Sequence, residues 1–417
     1  MSLAWASRGT IACCPRKGST KKRICIPRRL RLGTILSIEE VPTMELLYPC
    51  CCGLDVHKDS IVACLIRPSS GGQRAKETRS FGTTTGDLLK LAGWLEAACC
   101  KVVAMESTGV YWKPVFNLLE ERFELVVANA SHIKNLPGRK TDVSDAEWIA
   151  DLLAHGMIRA SFIPSREQRE LRNLTRTRTK LVDERSAAVR RLQGVLEDAN
   201  IKLSGVATDV MGVSGRAILQ ALLAGNSDPA ILAELAKGRL RNKRDKLEQA
   251  LSGRMSDHHR LLIAVHLEVI DSFDETIDRL SAAIEEKMRP FEELLARLDT
   301  IPGVGRRIAE ILVAEIGIDM TRFATSGHLA SWAGMCPGNN ESAGKRKGGK
   351  TRKGSIWLKC SLTEAARAAA RTKSTYLSAQ YRRLVVRRGG LGSILCGWIW
   401  LSVDCGRAVV GKASFPG

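Results

Sequence analysis

The chain reads as an α/β domain with a mixed sheet, followed by long helices of coiled-coil type and a mainly helical C-terminal domain. Three observations carry this reading. Apolar β-type runs alternate with helix-spaced segments between residues 45 and 155, the pattern of a sheet with helices around it. Two later segments, Ser165 to Asn200 and His259 to Leu298, place an apolar residue every three or four positions along their length. Finally, 64 Lys and Arg against 44 Asp and Glu in 417 residues leave a formal charge of +20, with 44 % hydrophobic residues. That length holds two or three domains at roughly 150 residues each. The apolar content is that of folded rather than disordered chains. The charge calls for a polyanionic partner, a nucleic acid or an acidic membrane surface. No apolar run reaches the eighteen or so residues that span a bilayer, the best being Ile394 to Val403, and no signal-peptide core stands near the start. The cysteines cluster as neighbours (Cys13–Cys14, Cys50–Cys52, Cys99–Cys100), which are poor framework partners. They read as reduced thiols of a cytoplasmic protein.

The elements follow in order. Residues 1–43 carry nine Lys or Arg, are broken by Pro15, Pro27 and Pro42, and show no periodicity. They read as a disordered basic extension, with Met44 as the true start; a nucleic-acid arm and an organellar targeting peptide are the other readings. Cys51 to Ile66 is mostly apolar and predicts a buried strand. Gly82 to Ala98 predicts a loop and helix, Lys101 to Met105 a second strand ending at Glu106, Gly109 to Glu121 a helix, and Leu125 to Ala128 a third strand. His132 to Thr141 reads as a basic loop and Asp142 to His155 as a helix. The apolar series of the second long helix is Leu261, Val265, Val269, Phe273, Ile277, Leu280, Ile284 and Met288, close to a heptad seam, with a kink expected at Pro290. Helix pairing within or between chains follows from its length. Residues 201–258 read as short helices with glycine breaks.

Four carboxylates stand out. Asp55 lies near the start of one predicted strand and Glu106 at the end of another, and Asp142 and Asp145 are three apart at a predicted helix start, on one face. Hard oxygen donors in such places suit Mg²⁺, and two ions could activate a nucleophile and steady a leaving oxygen on phosphate. The plainer reading makes Asp142 an N-cap and Asp145 a favourable first-turn charge.

A second constellation lies further on. Ile301-Pro302-Gly303-Val304-Gly305 precedes a predicted helix over 306–316, the arrangement of a helix–hairpin–helix contact to phosphate through Gly303 and Gly305, or of a plain helical hairpin. Glu341-Ser342-Ala343-Gly344-Lys345-Arg346-Lys347 then opens a stretch, 343–388, with fourteen Lys or Arg and one acid, Glu364. Phosphates gather on such a surface. Ser342, on a loop among cations, is either a nucleophile toward phosphorus or a hydrogen-bond donor in a solvated basic loop.

Together these segments resemble bacterial insertion-sequence transposases with an N-terminal RuvC-like DEDD domain and a C-terminal serine-bearing domain, the bridge-RNA-guided recombinases. The matching stretches are Cys52 to Lys58, Ala104 to Trp112, Asn135 to Gly156, Arg169 to Leu174, Thr300 to Gly305 and Gly334 to Lys345, spread over residues 44–388. The resemblance implies an α/β RNase H-like (RuvC-like) domain over 44–164, a helical coiled-coil linker over 165–299 and a serine domain over 300–388. It implies that Asp55, Glu106, Asp142 and Asp145 hold Mg²⁺ and that Ser342 forms a transient phosphoserine bond. It also implies element-end and target DNA, a structured noncoding guide RNA and a homo-oligomer, a tetramer, as partners. Lys134, Arg139 and Lys140 then read as phosphate contacts beside the metals. Arg172, Arg176 and Arg178, with Lys345, Arg346 and Lys347, read as nucleic-acid backbone contacts, sequence being read by the RNA. The extension 1–43 and the segment 389–417, which reads as a frameshifted tail, depart from the family pattern. A metal-dependent Holliday-junction-type nuclease without serine chemistry and an inactive nucleic-acid-binding remnant are the rival readings.

Overall fold

In the computed structural model, residues 46–69, 74–136, 144–323, 325–336, 340–342, 344–348, 351 and 354–386 are described. The expectations for 1–43 and 389–417 lie outside them, as do Asp142, Arg139 and Lys140. The chain divides between Ala160 and Ser161 into two units.

The first unit is built on a five-stranded mixed sheet. Its elements are β1 (Cys51–Val56), β2 (Ser60–Pro68), β3 (Arg74–Gly82), α1 (Thr85–Ala97), β4 (Val102–Glu106), α2 (Trp112–Leu119), β5 (Glu124–Ala128), α3 (Ala130–Lys134) and α4 (Asp145–Ala154). The strand order is β3-β2-β1-β4-β5. Strand β2 is antiparallel to β1 and β3, whereas β1, β4 and β5 run parallel. The order and direction are consistent with an RNase H-like sheet. The expected single strand over 51–66 is a hairpin, because His57-Lys58-Asp59 interrupts the apolar run and turns the chain. Strand β3 was not expected. It is a polar edge strand with no buried residue, so it lacks the apolar alternation that marks strands. Part of the expected basic loop is α3, capped by Asn129, whose Oδ1 accepts from the Ser131 N–H at 2.9 Å.

The second unit is helical. Helices α5 (Arg166–Asp198) and α10 (Asp257–Met288) pack together antiparallel, with Glu170 paired to Lys287 at 3.0 Å, Arg185 to Asp274, and Asp198 to His259 at 3.0 Å. Between them, α6 (Leu203–Val206), α7 (Val213–Leu223), α8 (Pro229–Glu234) and α9 (Arg244–Leu251) form a small module. Its core includes Leu192, Leu196, Ile218, Leu222, Leu247 and Ile263. The pairing is therefore within one chain. The first half of the expected α10 seam is not the buried face: Leu261, Val265 and Val269 are exposed, while Ile263, Leu267 and Ile270 are buried against the inserted module. At Pro290 the helix gives way to a 3-10 turn and restarts as α11 (Glu292–Asp299), because proline removes the donor the α-helical ladder needs.

Beyond this come α12 (Arg306–Ile316), α13 (Ser326–Trp332), the hairpin β6 (Asn340–Ser342) and β7 (Lys345–Gly348), and α14 (Ile356–Arg371). The boundary expected at residue 300 crosses a continuous core. Leu171, Ile284 and Met288 of the long helices pack in one cluster with Leu295, Val313, Leu358 and Leu362.

The described cysteines are all free thiols. Burial pushes the Cys51 and Cys100 thiols up to about 12, so they serve as small core hydrophobes rather than nucleophiles. No helix among the described residues is long and apolar enough to cross a membrane.

Candidate active site

In the first unit Asp55 and Glu106 stand at the carboxyl ends of neighbouring strands, the end toward which α4 begins. Cys51, Gly53 and Asp55 alternate onto the face of β1 that α4 covers, since successive side chains of a strand point to opposite faces. Helix α4 lies close because Gly53 has no side chain: a Cβ there would overlap the Ala146 carbonyl oxygen and the Ala150 nitrogen. It also runs antiparallel to β1. The Ala154 carbonyl accepts from the Leu47 N–H at 2.9 Å, the Cys51 thiol lies 3.7 Å from the Ala150 carbonyl, and Ala146 meets Gly53. The N-terminus of α4 therefore points toward the end of β1 that carries Asp55. Glu106 ends β4, one residue beyond the Leu54–Met105 pair of the parallel ladder, so it lies beside Asp55 on the neighbouring strand. Ligands of open α/β sheets bind outside such carboxyl ends.

The local hydrogen bonds hold these acids in place. Asp55 and Glu106 are half-buried. His57 Nε2 lies 3.1 Å from an Asp55 oxygen, and the Thr108 hydroxyl donates to Glu106 at 2.6 Å. Ser144 caps α4, its hydroxyl accepting from the Glu147 N–H at 3.3 Å, so the helix starts at Asp145 rather than at Asp142. The expected N-cap role of Asp142 thus falls to Ser144, and Asp145 is an exposed first-turn acid near the positive end of the helix. Lys134 is exposed at the end of α3, which leaves the carboxyl end of β5. The carboxylate oxygens of Asp55, Glu106 and Asp145 are donors of the hard type that Mg²⁺ takes, with the His57 imidazole beside Asp55. Among the described residues no three His, Cys, Asp or Glu are grouped closely enough to hold an ion. Asp142, the fourth acid of the expected set, lies outside those residues.

In the second unit the expected flexible loop around Ser342 is a β-hairpin. Ser342 pairs with Lys345 across a two-residue turn in which Gly344 has φ +74°, a conformation that glycine adopts without a side-chain clash. Ser342 is thus the last strand residue before the turn. Lys345 is exposed, and Arg346 and Lys347 follow it on β7. The base of this excursion is pinned. The Ser355 N–H donates to the Trp332 carbonyl at 3.4 Å, and a Cβ on Gly354 would overlap the Gly334 backbone.

Three arginines expected as nucleic-acid contacts have protein partners in the structure. Arg178 is 4 % exposed and pairs with equally buried Glu310 at 2.7 Å. Arg176 grips both oxygens of buried Glu315 at 2.6 and 2.8 Å. Arg172 donates to the Ala314 carbonyl at 3.0 Å and to that of Glu315, closing carbonyls that the end of α12 leaves unpaired. Glu315 also accepts from the Ser355 hydroxyl, the N-cap of α14, at 3.1 Å. These arginines therefore tie α5 to α12 and to the foot of the serine hairpin. No feature of residue type marks such an inward arginine; its partners lie about 140 residues away in sequence.

The two glycines before α12 also differ. Gly303, at φ +89°, faces the backbone of α14, where a Cβ would overlap the Ala365 carbonyl, so it serves helix packing rather than phosphate contact. Gly305 is exposed with open space around it and caps α12, whose first N–H groups remain free of a capping side chain.

Two segments of the chain match family models of known proteins. A family model described as "Transposase", for the DEDD transposases of IS110, matches residues 52–201, and one described as "Transposase IS116/IS110/IS902 family" matches residues 295–382. The chain is 26 % identical over 288 residues to a probable family 20 transposase of Pseudomonas aeruginosa, covering 68 % of this chain and 75 % of that protein. It is 24 % identical over 344 residues to the transposase for insertion sequence element IS1111A of Coxiella burnetii, covering 81 % and 83 %. An insertion element IS110 protein of Streptomyces coelicolor is 28 % identical over 229 residues, covering 49 % of this chain and 55 % of its own.

Proposed function

The chain belongs to the transposase family of the IS110 and IS1111 insertion elements, and on that footing we propose that it exchanges DNA strands through a serine ester, guided by RNA and assisted by a divalent metal. As a member of the family it is a transposase, an enzyme of DNA recombination. The observation that carries the finer reading is the carboxylate edge, where α4 on Gly53 aims its N-terminus toward the strand ends bearing Asp55 and Glu106.

In this reading the first unit is a RuvC-like domain in which Asp55, Glu106, Asp142 and Asp145 would hold Mg²⁺. The ion would supply Lewis-acid stabilisation of charge on the phosphate. His57 orients Asp55 and Thr108 orients Glu106 by the hydrogen bonds above. The Ser342 hydroxyl attacks a DNA phosphorus, forming a phosphoserine ester as the bond to one sugar oxygen breaks. The serine proton passes to a base and the departing oxygen takes one up, so no water is consumed. A hydroxyl of the exchanged strand then attacks the ester, restoring serine and a phosphodiester. The cations on and around β7 would draw the phosphate backbone to Ser342. Base pairing by a structured noncoding RNA selects donor and target DNA, and several copies of the chain act together.

The test is strand exchange between labelled element-end and target DNA, with the flanking noncoding RNA and Mg²⁺ present or withheld. The proposal expects recombinant product only with RNA and metal together. Product formed without RNA would refute the guided mechanism, and product formed in chelator would refute the role of the acid edge.

A further inference from the structure

A cavity of about 470 Å³ in the second unit lies where α5, α12 and the start of α14 meet. That size falls among small-ligand pockets of about 300–1,000 Å³. Its walls include the indoles of Trp332 and Trp357, both half-buried, and the hydroxyl-bearing Ser331. Cations flank both rings: the Arg172 guanidinium lies 6.0 Å from the Trp332 ring, and Arg176 and the Lys180 amine each lie 5.8 Å from that of Trp357. Phe323 packs beside Trp332 with ring centroids 5.8 Å apart. Buried Glu315 is the one carboxylate in the wall and is gripped by Arg176, so Arg172 leaves the wall one net positive charge, and exposed Lys180 adds a second beside Trp357. Arg172 is the most enclosed of the three; burial lowers its pKa to about 10, which leaves it charged at neutral pH.

Flat apolar rings beside surplus positive charge are what an unpaired nucleotide needs: a surface for the base and cations for its phosphate. A duplex, whose bases are already stacked, does not use such a pocket. We infer that the Trp332–Trp357 cavity binds a single unstacked nucleobase of the DNA or RNA partner. The inference rests on the nucleic-acid reading above and deepens it. The arginines thus have two tasks here, holding the foot of the serine hairpin and presenting charge to one nucleotide.

The test uses the full chain and short single strands carrying 5-iodouracil, one set DNA and one RNA, beside a duplex of the same sequence. Irradiation followed by peptide mapping should place the cross-link on the peptide holding Trp332 or Trp357. Whichever strand type cross-links identifies the source of the base. Trp357→Ala should weaken single-strand binding roughly tenfold, Trp357→Phe should restore most of it, and both should leave duplex binding unchanged. Cross-links mapping elsewhere in the wild-type chain, with Trp357→Ala binding single strands normally, would overturn the inference while leaving the nucleic-acid reading intact. A wild-type chain that binds neither single strands nor duplex would overturn both.

Discussion

Gly53 of β1 and Ala146 of α4 are in backbone contact, with no room for a Cβ between strand and helix. This contact sets how near the acidic start of α4 comes to Asp55. Gly53→Val should therefore push the helix away from the sheet. The expected cost is about 1–3 kcal/mol of stability, as for other overpacked cores, read by denaturant unfolding. Strand exchange should fall by more than the folded fraction does. Full activity in a destabilised Gly53→Val chain would separate the helix position from the chemistry.

The acids themselves make a different prediction. Asp55→Ala or Asp145→Ala should reduce or abolish the chemical step and weaken metal binding, followed by calorimetry with Mg²⁺, while RNA binding is largely kept. Loss of RNA binding along with activity would point to a structural role.

Arg178 and Glu310 are both nearly fully enclosed, and Arg306 holds the other Glu310 oxygen at 3.0 Å, so removing Arg178 leaves a buried carboxylate one partner short and removing Glu310 strands Arg178. Arg178→Ala should cost roughly 3–5 kcal/mol, whereas Arg178→Met combined with Glu310→Leu should be close to neutral or stabilising. Neither should change the salt dependence of nucleic-acid binding, because Arg178 touches no phosphate in this account. A shallower salt slope in a folded Arg178 variant would return that residue to the nucleic-acid interface.

Acidity should weaken the second unit in a defined direction. The Arg306 guanidinium holds the Glu292 carboxyl below its ordinary 4.5, and the Lys287 amine does the same for Glu170. A folded pKa below the unfolded one means the unfolded chain binds more protons between the two. The contribution is thus complete above about pH 4.5 and is lost as pH falls through the lowered folded value. Glu292→Gln should remove part of this acid limb, seen as a flatter decline in stability as pH falls below about 4.5. An unchanged decline would show that the pair is screened by solvent.

Much of this architecture was legible as periodicity. The strands at 102–106 and 124–128, the helix over 306–316 and the break at Pro290 stand where apolar spacing, glycine and proline place them. Strand β3 was not legible, because a polar edge strand with no fully buried residue lacks the apolar alternation that marks strands. The buried face of α10 was mistaken where the inserted module, rather than α5 alone, covers it: Leu261 and Ile263 fit a seam equally well until the neighbour is known. The inward arginines had a faint signal. Arg178 stands seven residues after Leu171, and Arg185 seven after that, so both sit on the heptad stripe that α5 buries or pairs. Charge argued for solvent and spacing argued for the seam, and spacing was the better guide. At the candidate site the residue types pointed to the acids, but only the Gly53 contact and the parallel ladder bring Asp55 and Glu106 to one edge with the start of α4.

The central claim is that Ser342 becomes covalently joined to DNA. Purified protein with its flanking noncoding RNA, labelled element-end DNA and Mg²⁺, run on a denaturing gel beside Ser342→Ala, tests it most directly. The account predicts a shifted band that survives denaturation, disappears with protease and is absent from the variant, whose nucleic-acid binding is unchanged. Strand exchange by Ser342→Ala at the wild-type rate would contradict it.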